Sequence, residues 1–391
     1  MRTIAVVTGA RSDYGIYLPL LRRISTNPAL RLRLMATGMH LAPEFGLTSE
    51  VIAADGFEIE DRIECLLSSD SPEGTAKSMG LGIVGFAQAF GRRRPDVLVV
   101  LGDRFEMYAA AAAALPFRIP VAHIHGGELS EGAIDDALRH SMTKLSHLHF
   151  VATDEYRRRV LQMGEEPWRV KVVGALSLDN LGEMQLMTPG ELEAHMGFGL
   201  EEAPLLITFH PATLEPGDAL DQTQALLAAL SVFPQPLVFT APNADAQSRR
   251  IRRALSDYAS EHSNATLVDN LGTRAYFSVM SIAAAMVGNS SSGIIEAASF
   301  HLPVVNIGDR QRGRVRAANV IDVPCGKEAI VDAVRTATSA GFRTQLSDLR
   351  NPYGDGHAAT AIIDTLRETP LDGAMMMKRF HDIPSGHTGS G

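Results

Sequence analysis

Cysteine is almost absent from this sequence: Cys65 and Cys325 are the only two among 391 residues. Thiols so far apart argue against a disulfide framework and for a reducing compartment, and they supply no thiol metal site. A long apolar run is missing too. No stretch reaches the roughly 18 apolar residues that a membrane-spanning helix needs. The greasiest segment, 107–115, is alanine-rich and is interrupted by Pro116. Residues 1–8 read as a short strand, without the apolar core and cleavage site of a secretory leader. Positive charge is not in excess. The formal net charge is −9, which disfavours non-specific nucleic-acid binding as the main role. These absences leave a soluble, cytoplasmic, globular protein of roughly two or three domains.

What is present is a rhythm. Strands are expected over 4–8, 30–37, 97–101, 121–124, 149–152 and 170–173, with helices between them over 16–24, 48–54, 79–90, 106–115, 134–147 and 155–163. A polar helical break at 186–200 follows, and then the rhythm restarts. Strands are expected over 205–209, 236–240, 265–268, 283–287 and 303–307, with helices over 219–231, 245–260, 273–280 and 294–299. Alternation of this kind makes a parallel sheet with helices on both faces. The expected fold is α/β, with two doubly wound Rossmann-like domains facing across a cleft. Residues 1–175 form an N-terminal domain, 176–371 a C-terminal domain, and 372–391 a tail that is mobile at its end. Ligands in such folds bind at the carboxyl ends of the strands.

The chemistry-bearing residues fall at those ends. TGARSDYG, at 8–15, occupies the place of a phosphate loop but matches neither G-x-G-x-x-G nor a Walker motif. A nicotinamide dehydrogenase and a P-loop NTPase both lose support there, and Arg11 at the tip is either a ligand or a solvated arginine. Gly102-Asp103-Arg104 puts an acid and a base after the strongest strand, with a helix-capping Asp as the plainer reading. In His123-Ile124-His125-Gly126-Gly127-Glu128, a strand would point both histidines to one face, for acid–base work or simple packing. Asp135 and Asp136, followed by Arg139 and His140, open the next helix. Adjacent carboxylates raise one pKa, or merely suit a helix N-terminus. Phe209-His210-Pro211 and Pro242-Asn243-Ala244-Asp245 end strands of the second half. Finally, GNSSSGIIE at 288–296 and the arginines at 310, 312, 314 and 316 combine oriented amides with guanidinium forks, a phosphate grip or an ordinary βαβ turn.

Taken together these motifs resemble the hydrolysing UDP-N-acetylglucosamine 2-epimerases of bacterial sialic acid biosynthesis, and the likeness runs from TGARSDYG through GDR, HIHGGE, IDDALRHSMTKLSHLH, FHP, PNAD and GNSSSGIIE to NIGDRQRGRVRAANVIDVP. The resemblance implies a glycosyltransferase-B-like fold, a UDP-sugar substrate, no metal or other cofactor, and a homo-oligomer, dimer or tetramer. It implies nucleotide contacts from Arg11, His210, Asn243, Ser290, Ser291, Glu296 and Arg310, with Glu296 suited to the ribose hydroxyls. Arg104 and His123 are counted with the substrate contacts. Asp103, His125, Glu128 and Asp135 become the catalytic set. Several relatives carry Glu where this chain has His125, so either His125 replaces that Glu or Glu128 takes over. The implied reaction eliminates UDP to a 2-acetamidoglycal, then hydrates it to N-acetylmannosamine. The alternatives are the same chemistry on nucleotide-linked N,N′-diacetylbacillosamine, a glycosyltransferase, or a UDP-sugar-binding protein.

Overall fold

Strand β1 (Arg2–Thr8) shows how the sequence makes its sheets. Ile4 and Val6 pack on one face with Tyr17, Leu20 and Ile24, while Ala5 and Val7 pack on the other with Phe86, Met107 and Ala110. A strand buried on both faces belongs inside a parallel sheet, and each large side chain so buried contributes about 1.5–3 kcal/mol. The computed structural model describes residues 1–43, 48–67, 69, 71–131, 134–210, 219–241, 248–268 and 271–382.

The first sheet adds β2 (Leu30–Thr37), β3 (Ile59–Ile63), β4 (Val97–Leu101), β5 (Val121–Ile124), β6 (Leu148–Val151) and β7 (Val170–Val172), in the order β3-β2-β1-β4-β5-β6-β7. The second contains β8 (Leu205–Thr208), β9 (Leu237–Thr240), β10 (Ala265–Val268), β11 (Ala285–Gly288), β12 (Val304–Ile307) and β13 (Val320–Val323), in the order β10-β9-β8-β11-β12-β13. Every strand pairing is parallel. Both are doubly wound Rossmann-like sheets, and strand order reverses between β1 and β4 in one and between β8 and β11 in the other. Those reversals open the crevices where ligands bind.

Two expected features change. Strands β3 and β13 add to the expected set. In β3 the central residues Glu60, Asp61 and Arg62 mask the strand, yet Asp61 meets the buried Arg33 at 2.8 Å. The second change concerns the chain's end. Compact units comprise 1–128, 134–180 and 356–391 in the first, and 129–133 and 181–355 in the second. A single domain over 176–371 is therefore not what the contacts give. The chain returns because helix Ala358–Glu368 buries Ala358, Ala359, Ile362, Ile363 and Leu366 in the core under β1. The Asp179 carboxylate accepts the Ala358 and Ala359 amides at 2.9 and 2.8 Å, a side-chain cap on the helix start. Beyond it the tail is tethered as far as Asp382. The Arg169 guanidinium donates to the carbonyls of Ala374 and Met375, each at 2.9 Å, and Lys378 Nζ lies 2.8 Å from the buried Glu165. Among the described residues, no helix is long and apolar enough to cross a membrane.

Candidate active site

The first reversal point gathers the acids. Strand β4 ends at Leu101, and Gly102-Asp103-Arg104 carries the chain into helix Phe105–Ala114. Asp103 is ion-paired with Arg139 from helix Ile134–Leu145. Arg139 is 3 % exposed, and a buried guanidinium requires partners for its fork. It also donates to the His125 carbonyl at 2.7 Å and lies 3.9 Å from Glu128. Arg139 thus ties the ends of β4 and β5 together. In the sequence it stands beside Asp135 and Asp136 with no role evident; the available signal is its helical spacing, one turn beyond Asp135. On the same helix, burial pushes the Asp135 carboxyl up, and the charge of Asp103 adds to the shift.

His123 and His125 do not share a face. The strand ends at Ile124, and His125 makes the last rung, its N–H donating to the Phe150 carbonyl at 2.9 Å. Its φ of 62° then turns the chain left-handed, a conformation uncommon for any residue but glycine. Gly127 continues the turn at φ 76°, where a Cβ would come within 2.6 Å of the Tyr156 carbonyl. The turn brings Glu128 back, so that His125 Nδ1 and Glu128 Oε1 lie 2.6 Å apart, both side chains buried. His123, expected to contact substrate, has no exposed surface, and its Nε2 donates to the Gly102 carbonyl at 2.8 Å. Burial holds its pKa down to about 3. It packs beneath the Gly102-Asp103 corner rather than opening to solvent.

Around β1, Arg11 is exposed at the start of helix Arg11–Thr26. Arg104 is engaged by Glu106, with Nη2–Oε1 2.9 Å and Nε–Oε2 3.2 Å. Glu106, a fully buried carboxylate inside an alanine-rich helix, carries no motif that marks it in the sequence.

The second reversal point is built on different chemistry. Gly288, at φ 141°, lets β11 run so close to β8 that a Cβ would overlap the Thr208 carbonyl. The next residue, Asn289, clamps the end of β8: its Oδ1 accepts the His210 amide and its Nδ2 donates to the His210 carbonyl, both at 2.8 Å. The Asn289 carbonyl in turn accepts from Arg310 Nη1 at 3.2 Å and Gln311 Nε2 at 2.8 Å. Ser290 caps the short helix Ser291–Ile295 through the Ser292 amide, and the buried Glu296 follows directly. Burial, then the nearby Arg310, lowers the His210 pKa to about 3. Its Nδ1 has no hydrogen-bond partner among the described residues. This unit therefore brings together His210, Ser290, Ser291, Glu296 and Arg310. Asn243 and the residues after His210 in FHP lie outside the described residues. Asn289 was the missed residue, hidden because Gly-Asn-Ser reads as an ordinary turn.

Comparison with known proteins gives these sites a context. A family model described as UDP-N-acetylglucosamine 2-epimerase matches residues 22–367. A Campylobacter jejuni GDP/UDP-N,N′-diacetylbacillosamine 2-epimerase (hydrolyzing) is 42 % identical over 323 residues, covering 82 % of this chain and 84 % of the relative. The polysialic acid biosynthesis protein P7 of Escherichia coli is 35 % identical, covering 98 % of each chain. In fold, the chain is similar to the Neisseria meningitidis UDP-GlcNAc 2-epimerase solved with UDP-GlcNAc, with TM-score 0.82 and 19 % identity over 94 % of this chain and all of that one. The pair of doubly wound units is the glycosyltransferase-B-like fold of such structures.

Proposed function

The chain belongs to the UDP-N-acetylglucosamine 2-epimerase family, and from that premise we propose that it is a hydrolysing 2-epimerase. It converts UDP-N-acetylglucosamine to UDP and free N-acetylmannosamine, for sialic acid synthesis. The observation that carries the reading is the cluster of Asp103, Arg139, His125 and Glu128 at the ends of β4 and β5, with Asp135 beside it.

The C2 hydrogen of the sugar is not next to a carbonyl, so its removal needs the C1–O bond to break as well. A base takes the C2 proton, the C–H electron pair forms the C1–C2 double bond, and UDP leaves with the C1–O pair. Water then adds to C1 and a proton to the opposite face of C2. Asp103 is ion-paired, whereas the Asp135 carboxyl is pushed up. Two carboxyls in unlike environments are suited to opposite roles, Asp103 as base and Asp135 as proton donor. The His125–Glu128 pair moves the second proton. In the second unit Arg310, Ser290 and Ser291 supply donors for the departing diphosphate, and in the first unit Arg11 is the proposed nucleotide contact. His210 stays neutral at working pH and offers its unpartnered ring nitrogen to the nucleotide, while Glu296 accepts from the ribose. Arg104, bonded to Glu106, shapes the turn next to Asp103.

The test is turnover of UDP-N-acetylglucosamine in deuterated water, followed by NMR. Release of UDP with N-acetylmannosamine deuterated at C2 is expected, and a product with protium at C2 would rule out elimination. A second reading, the same reaction on nucleotide-linked N,N′-diacetylbacillosamine, is favoured by the 42 % identity to the Campylobacter relative. Turnover of that sugar alone would select it. A sequence with only Cys65 and Cys325 for thiols suits a cytoplasmic enzyme, and a homo-oligomer, measurable by light scattering, completes the reading.

A further inference from the structure

The turn after β1 holds a buried carboxylate that the proton transfers leave unused. Asp13 lies in the first turn of helix Arg11–Thr26 with its side chain 8 % exposed. Its Oδ2 accepts the amides of Gly9 at 3.2 Å and Ala10 at 3.0 Å. In a glycine-rich phosphate loop such amides meet the ligand. Here the chain's own carboxylate occupies them, and an incoming anion is left to the exposed Arg11 next in the chain. The charged and titratable groups facing Asp13 are Arg104, 3.9 Å away, and Glu106 from the segment after β4, with the Tyr17 hydroxyl on its own helix. His40 pairs with Thr8 instead, at 2.9 Å.

We propose that Asp13 is a positioning residue for nucleotide binding: its carboxylate fixes the turn at residues 8–10 and thereby the direction in which Arg11 leaves it. The inference rests on the reading of this chain as a UDP-sugar enzyme. Bonds from amides to a carboxylate are roughly twice as strong as neutral ones, so the turn is firmer while Asp13 is ionised. Burial pushes its carboxyl up to about 6, with Arg104 pulling against the shift and Glu106 adding to it. Mild acid therefore loosens the turn and weakens the grip of Arg11.

The experiment measures UDP affinity by calorimetry at about pH 7.5 and about pH 5.5, on either side of the Asp13 transition, for the wild type, Asp13→Asn, Arg11→Met and the double variant. At the higher pH, Asp13→Asn is expected to weaken UDP about tenfold, the scale of losing charge assistance. The double variant should bind no more weakly than Arg11→Met, since Asp13 acts through Arg11. The wild type should lose more affinity on acidification than either single variant; titration of UDP itself is common to all. Additive losses, or identical pH dependence in wild type and Asp13→Asn, overturn the proposal. If Asp13→Asn does not fold, Arg11→Met decides alone, because a pH dependence as steep as that of the wild type overturns it. A wild type that fails to bind UDP overturns the functional reading and this inference together, whereas binding with additive losses overturns the inference only.

Discussion

The two reversal points sit on the same strand order but are built from different materials. In the first unit the corner is held by charge: Asp103 to Arg139, Arg139 toward Glu128, and Arg104 to Glu106. In the second it is held mainly by amides, with Asn289 clamping both backbone groups of His210 and Gln311 buttressing Asn289. Charged groups in pairs can exchange protons and be tuned by burial. Neutral clamps do neither, but they hold a backbone in one conformation, and preorganised donors are what stabilise a developing anion. One topology thus carries a charged corner and a neutral one, which the proposed function uses for proton transfer and for holding the anion, and the side chain placed after the strand sets the difference.

Substitutions can break or sharpen this contrast. The largest effect is expected from Asp103→Asn, with kcat falling about 10²–10⁴-fold, the usual weight of an acid–base group. UDP affinity, read by calorimetry, should stay within about threefold of the wild type because no binding charge is removed. An equal collapse of both would erase the division between the corners. Asn289→Ala should do the reverse. It leaves the His210 amide and carbonyl unpartnered, destabilises the second unit by about 2–4 kcal/mol in urea titration, and weakens UDP more than it slows turnover of bound sugar.

Acid should also separate the units. Burial lowers the pKa of His40 to about 4, His123 to about 3 and His147 to about 4, and lowers that of His149; the counterpart in the second unit is His210, at about 3. For such groups the unfolded chain binds the proton first, near 6.5. Stability is therefore lost as pH falls below that value toward the folded pKa, by up to about 1.4 kcal/mol per pH unit for each histidine. Asp13, raised to about 6, and Asp135, also raised, oppose this in the first unit, contributing more stability as their carboxyls protonate, but they are two groups against several. Hydrogen exchange between about pH 7 and about pH 5 should show the first unit loosening before the second. The smallest effect belongs to Arg312→Ala. Its partners Glu131 and Asp309 lie 3.8 and 3.9 Å away on exposed side chains, and such pairs contribute about 0–1 kcal/mol, so turnover and urea midpoint should not move measurably.

The strands lining the two corners were readable because each is a short apolar run closed by a turn residue. Runs such as 97–101 and 121–124 end where the structure ends them. The placement of Asp103, His210 and Ser290 at strand ends followed from the same signal. Partnership was not readable. Nothing in the periodicity joins Asp103 to Arg139 across 36 residues, or gives Asn289 to His210 across 79, since those pairings depend on which strands lie side by side. His125 departs from the alternation expected of His123-Ile124-His125 because the strand ends at Ile124, and only backbone geometry reveals its left-handed turn. The return of 356–382 to the first unit was hidden for a related reason: an amphipathic helix shows that it will be buried, not against which sheet.

That return has a consequence for how the chain is made. The core under β1 needs Ile362, Ile363 and Leu366, which leave the ribosome after every strand has been synthesised. Nearly all of the second unit, 181–355, is one continuous stretch and can close while translation is still under way. The first unit, begun earliest, is finished last. A chain released after residue 355 should therefore present a protease-resistant second unit beside a first unit that is still digestible.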